Sequence, residues 1–140
     1  MRAVSVSICG RQLWLYLNGE AYLTLLQRYG VDYLDKIFPD RVELDQESQR
    51  AHIGTILESA QILAEQGVLA RNALGYPEEP VPDVMAFAHD PLFQPADLLH
   101  LRDALGMAIS AGMSREYQPE ADEERQDLVL LELQKKTKSP

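Results

Sequence analysis

The side chains with the clearest chemical potential in this sequence are His52, the His89-Asp90 dipeptide, His100 and the single thiol, Cys9. A His-Asp pair suits metal-dependent phosphohydrolysis, because an imidazole nitrogen and a carboxylate oxygen together ligate several divalent ions. The plainer reading of the pair is stronger. Asp90 stands before Pro91 at an expected helix end, where an Asx-type turn accounts for it. His100 falls on a different helix face from Leu98, Leu101 and Leu105. Cys9 lies on an expected strand, a setting in which a thiol is usually inert. No Gly-rich phosphate loop follows a strand, and there is no Gly-x-Ser-x-Gly elbow and no Cys or His pair with zinc spacing. The chain reads as a non-enzyme with no catalytic, metal-ligating or cofactor-binding residues and no cofactor. A hydrolase built on His52, His89 and His100 is the minor alternative.

The element that would carry the rest of the fold is Asp45 to Gly67. Asp45 is a good N-cap, Ile53, Ile56, Leu57, Ala60, Leu63 and Ala64 share one helix face, and Gly67 can adopt the left-handed conformation that ends a helix. Gln49, Arg50, Glu58, Gln61 and Glu65 occupy the other face. Ahead of it, Ala3 to Cys9 and Gln12 to Leu17 both alternate with period two. Gly10-Arg11 between them predicts a type II′ hairpin whose Leu13, Leu15 and Leu17 face the helices. Glu20 to Tyr29 reads as a helix stopped by Gly30. Asp32 would cap a short helix through Tyr33, Leu34, Ile37 and Phe38 that Pro39 ends. Beyond Gly67, Val68 to Leu74 predicts further helical turns anchored by Val68, Leu69 and Leu74. The proline-rich Tyr76 to Asp83 predicts an extended, solvated connector.

Asp83 would cap a short helix over Val84 to Ala88. Gln94-Pro95-Ala96-Asp97 opens a long one to about Gly112, buried along Leu98, Leu101, Leu105, Ala108 and Ile109. Its second half is crowded with Gly106, Ala108, Ser110, Ala111 and Gly112, which lets another element approach closely, and it is expected to cross the central helix. The remainder changes character. Glu120, Asp122, Glu123, Glu124 and Asp127 precede Leu128-Val129-Leu130-Leu131-Glu132-Leu133, and Lys135, Lys136 and Lys138 follow, a charge order that suits the dipole of a last helix. The fold class is therefore α+β and mostly α: an N-terminal β-hairpin, then a bundle of about five to six helices. Residues 1–117 form the hairpin and helical domain, and 118–140 an acidic segment with a C-terminal helix and a frayed end.

At 140 residues with 46% hydrophobic content, the chain can bury a core of its own. A net charge of -9, from 22 acidic and 13 basic residues, opposes nucleic acid as a partner, since phosphate binding needs concentrated positive charge. No run approaches the roughly 20 apolar residues of a spanning helix, and the first residues, MRAVSVSICGRQ, do not develop a signal-peptide core, so no membrane partner is expected. One cysteine excludes an intramolecular disulfide and fits a reducing cytoplasm.

The order of these elements resembles the tail assembly chaperones of long-tailed bacteriophages and prophages. The likeness lies in the strand pair around Gly10, the helical run NGEAYLTLLQRYGVDYLDKIF from Asn18 to Phe38, the long helix, the proline-rich break, and the helix closing on AISAGM at Met113. It implies a β-hairpin leading into a mostly helical domain. It also implies a non-catalytic protein of the host cytoplasm that coats or delivers the tape-measure protein while tail tube subunits polymerise, and that is absent from the finished virion. Such reading frames often end near a lysine-rich slippery site that yields a longer, frameshifted product, and the terminal LQKKTKSP is similar in kind. The acidic segment before Leu128 has no counterpart in that pattern. A chaperone of this sort needs an apolar stripe that becomes buried on binding. Leu128, Leu130, Leu131 and Leu133 are the residues expected to supply it, toward a client or toward a second copy in self-association, and the plainer reading of the same residues is a helix that docks on the chain's own core. Another small phage or mobile-element structural protein, such as a connector or head-tail adaptor, is the alternative.

Overall fold

A computed structural model describes residues 1–114. The acidic segment, the four leucines Leu128, Leu130, Leu131 and Leu133, and the division at 117/118 lie outside the described residues. The described residues begin with an antiparallel hairpin, β1 (Val4–Ile8) and β2 (Arg11–Leu15), and continue with five helices: α1 (Gly19–Tyr29), α2 (Tyr33–Ile37), α3 (Gln46–Ala73), α4 (Val84–Phe87) and α5 (Pro95–Met113). The α+β, mostly helical class expected from the sequence is the class observed.

The hairpin turns one residue earlier than Gly10-Arg11. Ile8 pairs with Arg11, so the two turn residues are Cys9 and Gly10, with φ of 52° and 76°. Two positive φ values in a two-residue loop are the mark of a type I′ turn, whose twist matches the flanking strands, and not of the expected type II′ turn. The register puts Val4 opposite Leu15 and Val6 opposite Leu13, so Ile8, Leu13 and Leu15 are buried on one face while Ser5 and Ser7 look outward.

Of the caps expected from the sequence, Asp45 and Asp83 form and Asp32 does not, and Asn18 adds one that was not expected. Asn18 accepts from the Ala21 amide at 2.9 Å to start α1, and its own amide group donates to Gln66 of α3 at 3.0 Å. Asp45 accepts from both the amide and the hydroxyl of Ser48 at 2.8 Å, which holds its carboxyl below the ordinary range. Asp32, by contrast, makes no side-chain cap to α2 and instead stands 3.7 Å from Lys36.

The largest departure concerns α3. It does not end at Gly67 but continues unbroken to Ala73, 28 residues in all. Gly67 is a contact site. A Cβ placed on it would fall 1.8 Å from the Trp14 carbonyl oxygen, so only glycine lets α3 lie against the backbone of β2. Just past the end of that strand, the Tyr16 N–H donates to the Leu63 carbonyl at 3.1 Å. A helix thus covers the outer edge of β2, a position that otherwise presents unpaired backbone groups. Because the helix continues, Leu69 and Leu74 stay more than half exposed, and Val68 alone of the three expected anchors is buried.

Hairpin and helices share one core. Ile8, Leu13, Leu15 and Leu17 meet Leu25 of α1, Ile37 of α2, Ile56, Leu57 and Leu63 of α3, Val84 and Phe87 of α4, and Leu101, Leu105 and Ile109 of α5. Helix α5 touches both β1 and α3. Its Gly112 abuts Leu17, whose Cβ would be 2.6 Å from an added Cβ. The proline-rich connector is exposed but tied down. Asn72 exchanges two hydrogen bonds with Glu79, while Gln61 donates to the Pro82 carbonyl at 2.9 Å and accepts from the Val84 amide at 2.7 Å.

Candidate docking groove

The residues weighed first for chemistry are dispersed by the fold. His52 sits on α3 with Nε2 3.1 Å from the Ile37 carbonyl, where the Nε2–H tautomer donates and joins α3 to the end of α2. His89 and His100 are exposed, the former just beyond α4 and the latter on α5. Asp90 accepts from the Leu92 amide at 2.8 Å, which is the Asx turn its place before Pro91 suggested. Among the described residues no cluster of three or more His, Cys, Asp or Glu is arranged to hold a metal ion. Cys9 occupies the hairpin turn, and burial, with the Asp90 and Asp97 carboxylates, raises its thiol above the ordinary value. It stays protonated at neutral pH and is poorly suited to act as a nucleophile.

The polar networks join elements of the fold to one another. The Tyr29 hydroxyl donates to Glu58 at 2.8 Å, and Arg28 stands 3.3 Å from the same carboxylate, linking α1 to α3. Burial and that carboxylate push the Tyr29 phenol up to about 12. The Arg71 guanidinium lies between the rings of Trp14, at 4.0 Å, and Tyr76, at 4.1 Å. The two π-faces offset the positive charge there and clamp the end of α3 to β2.

One opening between α2 and α5 is largely apolar. Small residues of α5, Gly106 and Ser110, face the end of α2, and the Phe38 ring stands beside Gly106 with Cζ 3.6 Å from where a Cβ would sit. Leu34, Ile109 and Met113 complete a trough of about 580 Å³. A contiguous depression of about 640 Å³ runs on past Met107 to Arg102 and Asp103. Leu34, Met107 and Met113 are 45%, 61% and 49% exposed, large apolar side chains gathered around one floor. Such a cluster marks an interaction surface more often than single exposed residues do. Methionine suits it, because an unbranched and polarizable side chain repacks around different partners.

The sequence held half of this signal. The run of small residues from Gly106 to Gly112 foretold close approach, and at Gly112 that approach is made by Leu17. Gly106 and Ser110 are left uncovered, and Leu34 and Phe38 reach them from a short helix far away in the chain. No family model, no curated protein and no solved structure matches this chain. No helix of the described residues is long and apolar enough to cross a membrane.

Proposed function

We propose that the protein is a non-catalytic assembly factor that binds an apolar helical segment of a client in the trough between α2 and α5. The resemblance to tail assembly chaperones makes that client the tape-measure protein, with tail tube subunits as further partners, in the host bacterial cytoplasm. The observation that carries the reading is the gathering of exposed Leu34, Met107 and Met113 around the Gly106 and Ser110 floor. An amphipathic helix laid into such a groove anchors through side chains three or four apart, and each fully buried leucine contributes roughly 1.5 to 3 kcal/mol. The high negative charge of the chain keeps a complex with an aggregation-prone client soluble.

Co-expression with a helical tape-measure fragment tests this reading. The full chain should hold the fragment in the soluble fraction, and Ser110→Arg, which places a charge on the trough floor, should release it while the variant itself stays folded. Equal retention by both proteins would remove the trough from the function. Gene order is a second check, with a tail tube gene upstream and a very long helical gene downstream expected.

A further inference from the structure

Helix α5 ends at Met113, and both Met113 and Ser114 line the trough, so the rest of the chain starts from inside it. That remainder carries Leu128, Leu130, Leu131 and Leu133, a run of large apolar residues broken by Glu132. We infer that the segment around Leu128 to Leu133 folds back into the trough between α2 and α5 of its own chain, and that a client binds by displacing it. This rests on the reading of the trough as a docking surface.

Reach, chemistry and concentration favour the chain's own segment over another molecule. From Ser114 to Leu128 the chain can span about 45 Å at roughly 3.3 Å per residue, whereas the stretch of α5 from Met113 back to Gly106 is only about 10 Å long. The linker needs to use a fraction of its length. Leucines meet Leu34, Phe38 and Met113, and Glu132 would come near Arg102 at the far end of the depression. A tethered segment competes at an effective concentration in the millimolar range, which a separate copy of this highly charged chain does not reach in dilute solution. Displacement then gives the protein two states. The apolar surfaces of trough and segment cover each other until a client with a longer apolar face takes one of them.

Disulfide trapping in the full chain tests the inference. With the native thiol removed by Cys9→Asn, one cysteine is introduced by Ser110→Cys, an exposed floor position, and the second by Leu131→Cys or, separately, Leu133→Cys. Under mild oxidation at micromolar protein, an intramolecular disulfide should form about tenfold faster than in the control pair Ser110→Cys with Ser139→Cys. Crosslinking no faster than the control for both leucine positions would overturn the inference. A covalent dimer in place of the closed monomer would overturn it too, in favour of a second copy, and would leave the trough as a docking surface. Retention of the tape-measure fragment by Ser110→Arg, in contrast, sinks the docking surface itself, so the two failures are told apart.

Discussion

Gly67 and Gly106 are both glycines within long helices, and they do opposite things. At Gly67, α3 meets the backbone of β2 so closely that an added carbon would coincide with the Trp14 carbonyl. The contact is surrounded by tertiary partners: Tyr16 bonded to Leu63, Arg71 between two rings, and Gln66 on Asn18. At Gly106 an added carbon would meet nothing nearer than the Phe38 ring, at ordinary contact distance, and the surrounding large side chains are half exposed. One missing side chain admits the protein's own backbone, and the other leaves room. A small residue in a helix therefore marks an approach only when the approaching element is identified, and an approach site with no element on it is where a partner fits.

The sharpest way to break this comparison is to add the same methyl group to both glycines. Gly67→Ala should cost about 3 kcal/mol or more, since overpacking against backbone cannot be relieved by a rotamer change, and it outweighs the roughly 1 kcal/mol of helix propensity gained. Urea unfolding midpoints will show it, and a variant as stable as the parent would mean that α3 is not seated on β2. On the same closed side, Gln61→Leu removes both bonds that hold the Pro82-to-Val84 backbone to α3. A loss of roughly 1 to 3 kcal/mol and faster proteolysis in the 76–83 connector are expected, while unchanged cleavage would show the connector to be held by other contacts. Gly106→Ala should carry the opposite sign to Gly67→Ala, gaining up to about 1 kcal/mol from helix propensity alone. Destabilisation there would show the trough to be closed.

Two smaller effects sharpen the account of the closed side. Cys9→Asn should stabilise by about 0.5 kcal/mol, because asparagine accepts positive φ more readily than cysteine and Asn-Gly is a preferred type I′ pair. A lower melting temperature would contradict the turn described here. The smallest effect is confined to alkaline pH. The Tyr29 phenol is raised from 10.0 to about 12, so the folded state favours its protonated form. Its contribution is fully present below the unfolded value and is lost as pH rises from 10.0 through about 12. The stability difference between the parent and Tyr29→Phe should shrink across that window. A difference that stays constant with pH would separate the phenol from Glu58.

What the sequence determined by itself was local. Alternation at Val4, Val6 and Ile8 and at Leu13 and Leu15 made two strands, Asp45 with Ser48 started the central helix, Gln94-Pro95 with Asp97 started the last one, and Asp90-Pro91 made an Asx turn. Each rests on contacts within a few residues, where spacing and side-chain type suffice. Gly67 was misread for the same reason. Its local preference for ending a helix is worth about 1 kcal/mol, and the tertiary contact with Trp14, invisible in a stretch of neighbours, outweighed it. The hairpin turns one residue earlier than expected because Gly10 fits either turn type, and alternation could not choose between them: both registers keep Val4, Val6 and Ile8 on the leucine face, and only the observed pairing of Ile8 with Arg11 fixes the turn at Cys9-Gly10. The small residues of α5 were legible as an approach site, but the trough itself could not be read from neighbours in the chain. Leu34 and Phe38 stand some seventy residues from Gly106 and Ser110 in sequence, and only the common core beneath them, built from Ile37, Ile56, Leu105 and Ile109, sets α2 beside α5 and leaves the space between them unfilled.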